Sequence, residues 1–170
     1  IIMFIALEDK PGHRTWVPTN NPANTSIHAS LKIAVSNPQN WICGLYTSLM
    51  NLIIMVFGGV WGQPYLKAVH HLGNTEASDV TSMLFLGTII GSPLVGFISD
   101  KIRNRRKPMI YGALSSMFLA CIFMLFPSLS THSLEILFFM LGLTTSTQVI
   151  TYPLIAESNP QHAIGICESL

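Results

Sequence analysis

A chain of 170 residues could form one soluble domain, but 49% hydrophobic and only 10% charged residues, with a mean hydropathy of +0.48, exclude an ordinary water-soluble globule. The net charge of +1 gives no general attraction for nucleic acid or acidic partners. Three dispersed cysteines, Cys43, Cys121 and Cys167, have neither CxxC nor histidine spacing, which argues against a zinc site or a disulfide framework. No metal or cofactor is expected.

The apolar start IIMFIAL is followed at once by Glu8-Asp9, without the basic region or cleavage site of a signal peptide. Residues 1–7 read as the end of a preceding transmembrane helix. Residues 8–40 are polar and turn-rich, and their one helical pattern, SIHASLKIAV, predicts a short amphipathic helix within a connecting loop. Asn24-Thr25-Ser26 matches a glycosylation sequon, a pattern common by chance. From Trp41 to Trp61 no charge occurs. A hydrocarbon core of about 30 Å needs about 20 helical residues, so a span is predicted at about 41–61, with its tryptophans at headgroup level.

Residues 62–79, GQPYLKAVHHLGNTEASD, read as a loop with His70 and His71 solvated. Gly62 and Pro64 break the helix there, by added freedom and a lost backbone donor. A second span follows at about 80–100, in which Gly87 and Gly91 share one helical face and admit a close neighbour. The third, at about 108–126, is nearly devoid of polar groups beyond Ser115-Ser116 and reads as lipid-facing on much of its circumference. The fourth, at about 134–156, carries the polar run TTSTQ at its centre and is expected to face water or substrate. The fold class is therefore an all-α polytopic transmembrane bundle, incomplete as a bundle. Eight of the nine cationic residues, all but Lys67, fall on one side of these spans. By the excess of Lys and Arg in cytoplasmic loops, that side is predicted to be the cytoplasm.

The second and third spans are joined by GFISDKIRNRRK at 96–107, a glycine, an aspartate and a dense basic turn. Asp100 ends a helix, where the macrodipole disfavours an anion, so a cation must compensate. A plain topological anchor would explain the charges but not the glycine and aspartate before them. The segment resembles the loop signature of the major facilitator superfamily, Gly-x-x-x-Asp-Arg/Lys-x-Gly-Arg-Arg/Lys: Gly96, Asp100, Lys101 and Arg105 match. Arg103 and Asn104 stand where the signature has a glycine and a base. GGVWGQPYL at 58–66 with ASDVTSMLFLGTIIGSPLVG is similar to the seventh-to-eighth helix region of these permeases, and PLIAESNPQHAIG at 153–165 to the turn after the tenth.

The resemblance implies a C-terminal half fragment, from the end of helix six through helix ten and the following loop. It implies secondary-active transport of a small solute by alternating access, with the first helix of each three-helix repeat lining the cavity. Those helices would be the spans at 41–61 and 134–156, so Tyr46, Asn51, Gln148 and Tyr152 are expected to line the route, or else to bond neighbouring helices. Asp100 would be the anionic element of a cytoplasmic latch, with Lys101, Arg105 and Arg106 as its partners. The implied partners are the solute, a coupling proton or ion, the lipid bilayer and the N-terminal half of the same polypeptide, in a cell membrane such as the bacterial inner membrane. A receptor or scaffold of the same fold is the alternative. A membrane enzyme is disfavoured by the lack of HExxH, GxSxG or an intramembrane carboxylate pair.

Overall fold

In a computed structural model of the chain, residues 27–126, 129–160 and 163–169 are described, and every regular element among them is helical. The expected helix end at 1–7, the loop up to residue 26 and the sequon lie outside the described residues. Four rods are long and apolar enough to cross a membrane: Pro38–Val60, Asn74–Ile102, Arg106–Leu125 and Thr131–Ser158.

Helix α1 (Ile27–Ser36) leads directly into α2 (Pro38–Ile54). The Asn37 side chain caps α2 by accepting from the Gln39 N–H at 3.1 Å, and Pro38 follows where a missing N–H removes no helical bond. The helix thus starts three residues ahead of Trp41. The Trp41 indole donates to the Val35 carbonyl at 2.9 Å and ties α1 to the foot of α2.

Met55–Val60 continues α2 as a π-helical turn. A side chain at Gly62 would collide with the Phe57 carbonyl, so the tight exit from this turn requires glycine. The segment expected as a loop from Gly62 to Asp79 is instead largely helical. It contains α3 (Gly62–Val69) and the first turns of α4 (Asn74–Ile102). Pro64 falls in the first turn of α3, which tolerates proline. Glu76 accepts from the Gly73 N–H at 2.9 Å, starting α4 six residues before Val80. Polar composition misleads here because the polar groups cap and solvate helix ends. At 29 residues and a rise of 1.5 Å each, α4 is about 43 Å long and outreaches a hydrocarbon core of about 30 Å.

His70 is not the solvated loop residue expected. Its ring stacks on Phe123 at a centroid distance of 6.0 Å and an interplanar angle of 17°. Burial lowers its pKa, a hydrogen bond with the Leu129 backbone raises it, and the charge of exposed His71 lowers it.

Helix α5 (Arg106–Leu125) returns, and α6 (Thr131–Thr145) follows, capped by Ser130. A 3₁₀ stretch at Ser146–Ile150 then connects α6 to α7 (Thr151–Ser158), and α8 (Ile164–Glu168) packs back on α1. Side-chain hydroxyls of Thr144, Ser146, Thr147 and Thr151 each donate to the carbonyl three residues earlier, at 2.6–3.0 Å. Such back-bonding competes with the α-helical ladder and tightens the rod at mid-span.

In lipid, helices associate through close packing because no hydrophobic force drives apolar faces together. Helices α4 and α6 run parallel and touch backbone to backbone: a side chain at Gly87 would strike the Phe139 carbonyl, and one at Gly142 would strike the Leu84 carbonyl. Gly91 abuts Ser146, and Gly112 of α5 abuts Thr147. The fourth rod therefore sits against both α4 and α5. Tyr111, Leu114, Met117 and Phe118 of α5 remain exposed.

Candidate functional site

Two polar constellations stand out, one inside the bundle and one at the basic end. Inside the bundle, one turn along α5 from the basic turn, the fully enclosed Tyr46 hydroxyl lies 3.0 Å from the Met109 carbonyl and 2.7 Å from Thr147 Oγ1, joining α2, α5 and the fourth rod at one point. Beside it Thr47 Oγ1 meets Thr151 Oγ1 at 2.8 Å. These hydroxyls bond helix to helix, so Tyr46 is held inside the junction.

The same junction sets the level of the remaining candidates. Helix α2 and the fourth rod run antiparallel, as the Asn37–Asn159 and Thr47–Thr151 bonds show. Asn51, one turn beyond Thr47, therefore stands level with Thr144–Gln148. Asn51 and Tyr152 are exposed, and Gln148 is half-buried with its Oε1 unpartnered. Among the described residues, none of these three side chains hydrogen-bonds another helix. The face they mark has no charged residue, since α2 carries none and the fourth rod has only Glu135 and Glu157 near its ends.

At the basic end Arg105 joins two helix ends. Its Nη1 donates to Asp100 Oδ1 at 3.1 Å, at the last turn of α4. Its Nε donates to both Glu157 carboxylate oxygens at 3.0 Å, and Nη2 donates to Oε1 as well. The Glu157 hydrogen bonds hold the Arg105 pKa above its ordinary value against the opposing effect of burial. Lys101 and Arg106, expected as further partners of Asp100, form no ion pair among the described residues.

Glu157 is the site residue that sequence reasoning missed; its signal was an acidic residue ending the fourth rod opposite a basic turn. It is positioned by amides. Asn159 Nδ2 donates to Asn40 Oδ1 at 2.6 Å, while Asn159 Oδ1 accepts from Asn37 Nδ2 at 3.0 Å. The end of α7 is thereby pinned to the start of α2.

Residues 1–166 match the family model described as Major Facilitator Superfamily. The chain belongs to that superfamily. No curated protein and no solved structure matches it. This major facilitator protein is a multi-pass integral membrane transporter, of a family that moves small solutes rather than catalysing reactions.

Membership gives meaning to the off-pattern Arg103. It occupies the signature's second glycine position and closes α4 in the left-handed region, at φ 52°. A non-glycine residue there costs about 1–2 kcal/mol, part of which glycine loses again to its greater freedom in the unfolded chain. Arg103→Gly is expected to stabilise the hairpin by about 1 kcal/mol, seen as a higher melting midpoint of the purified protein. A lower midpoint would mean that the Arg103 side chain stabilises the turn more than its backbone strains it. Gly96 differs from the packing glycines, because nothing lies within 4 Å of its Cβ position.

Proposed function

We propose that this major facilitator protein carries a small solute by alternating access, and that α2 and the fourth rod line the route. The observation that supports the reading most is the set of Asn51 and Gln148, which stand level, and Tyr152, one turn further along the fourth rod. They offer hydrogen bonds from mid-span positions without bonding another helix. A polar side chain left facing hydrocarbon would be costly, so a polar occupant of a water-filled route is the favoured neighbour. Because this face is uncharged, it suits a hydroxyl- or amide-bearing part of the solute. Any charge on the solute, and any coupling proton or ion, would be handled by an N-terminal half of the same polypeptide.

By the Lys/Arg asymmetry, the basic end faces the cytoplasm, in a cell membrane such as the bacterial inner membrane. There Arg105, Asp100 and Glu157 form a latch that holds the ends of α4 and α7 together while the halves rock. Gly96, open on its outer side, is where the other half would close.

The test is flux in proteoliposomes of the full-length transporter. Neutral sugars, amino acids and organic acids are first screened for thermal stabilisation, and the best stabiliser is then used for uptake. Gln148→Ala and Asn51→Ala are each expected to raise the KM at least tenfold, which is about 1.4 kcal/mol, with normal assembly. An unchanged KM in both variants would remove these residues from the route. Binding without flux would favour a receptor.

A further inference from the structure

The basic turn holds more charge than its latch uses. Five cations occur between positions 101 and 107, yet among the described residues only Arg105 of these pairs with carboxylates. Lys101, Arg103, Arg106 and Lys107 make no ion pair among the described residues. The Arg106 Nε is moreover buried without a hydrogen-bond partner.

Their surroundings are apolar and outward-facing. On α4, Ile90 (43% exposed) and Phe97 (69%) carry a bare apolar stripe toward the turn; on α5, Tyr111 (68%) and Leu114 (54%) carry another away from it. Both helices pack on the fourth rod with other faces, through Gly87 and Gly91 on α4 and Gly112 on α5. Two acyl-facing stripes thus converge on four cations at the level where a rod leaves the hydrocarbon. A lipid supplies both counterparts in one molecule, chains for the stripes and a phosphate for the cations. A soluble anion would leave the apolar stripes unused.

We propose that Lys101, Arg103, Arg106 and Lys107 form a binding site for an anionic phospholipid at the cytoplasmic rim, with its acyl chains along α4 and α5. The proposal rests on the cytoplasmic orientation of the basic end but not on transport. Clusters of Lys and Arg at a membrane end attract anionic headgroups by about 1 kcal/mol each, or about fivefold per cation. The site recognises the charge of the headgroup and leaves Arg105 to Asp100 and Glu157.

The experiment uses the full-length protein in detergent, with retained lipid counted by native mass spectrometry and melting followed on lipid addition. Phosphatidylglycerol is expected to stay bound and raise the melting midpoint; phosphatidylcholine and inorganic phosphate are not. The triple variant Lys101→Gln, Arg103→Gln, Lys107→Gln is expected to bind phosphatidylglycerol at least tenfold more weakly. The charge-matched variant Lys10→Gln, Arg14→Gln, Lys32→Gln is expected to bind it normally. Equal retention of phosphatidylcholine by the wild type, equal stabilisation by inorganic phosphate, or equal loss in the two triple variants would each overturn the site. Because the wild-type arm needs no variant, misassembly of a variant leaves the proposal testable. Solute flux is read separately, so failure of the transport reading is distinguishable from failure of the lipid site.

Discussion

Gly142→Ala is expected to destabilise the bundle by forcing two helix backbones apart. The added methyl meets the carbonyl of Leu84, which belongs to the backbone of α4 and cannot rotate away. Overpacking in a tight interior costs about 1–3 kcal/mol, and a backbone obstacle puts this site at the upper end. Gly142→Leu would push α4 and α6 further apart and prevent the assembled form altogether. Gly44→Ala on α2 is the matched control, since nothing lies within 4 Å of its Cβ position. Alanine is a better helix former than glycine by about 1 kcal/mol, so this control is expected to be neutral or stabilising. Melting of the detergent-solubilised protein, with gel filtration to monitor dispersity, compares the two. Equal midpoints for Gly142→Ala and Gly44→Ala would show that α4 and α6 do not touch in this way.

The packing role of the glycine pair on α4 is legible in the sequence, because small residues four apart in an apolar run have few uses other than close packing. That of their partner Gly142 is not, since a lone glycine within LGLTT carries no spacing signal. The rods are legible from charge-free runs long enough to cross a membrane. Helix starts are not, because Asn37, Gly73 and Ser130 start helices by capping, and capping residues look like loop residues in a polar stretch. Hydropathy likewise misreads residues 62–79: α3 is short and half polar, and it is held by Leu66 packing into the core rather than by a long apolar run. At mid-span the polar character of TTSTQ is plain, but its division of labour is not. Thr147 bonds Tyr46, while Gln148 is left without an interhelical bond. One residue of offset on a helix turns a side chain by about 100°, which composition cannot register.

At the basic end, Glu157→Gln is expected to weaken the latch more than Asp100→Asn, although Asp100 belongs to the loop signature and Glu157 does not. The Asp100 side chain is 70% exposed and meets Arg105 through Nη1 alone, so water and salt compete with it. Glu157 is 46% exposed and receives the Arg105 guanidinium on both oxygens. Bidentate geometry is the stronger arrangement. After the discount for exposure, the Arg105–Glu157 coupling is expected near 1 kcal/mol, or about fivefold in an equilibrium. A double-mutant cycle of Arg105→Gln and Glu157→Gln reads that coupling from melting midpoints, and additive effects would mean that the pair contributes nothing to the folded state. If the pair serves the transport cycle, both single variants also shift the balance between inward- and outward-open forms, read from cysteine labelling at the cytoplasmic rim. The exchange Arg105→Glu with Glu157→Arg should recover part of that balance, since the attraction survives with its ends reversed. Recovery would stay partial because Asp100, which now faces a glutamate, opposes the swapped charge. Full recovery would mean that Asp100 contributes nothing, and none would mean that Arg105 acts through geometry its fork alone supplies.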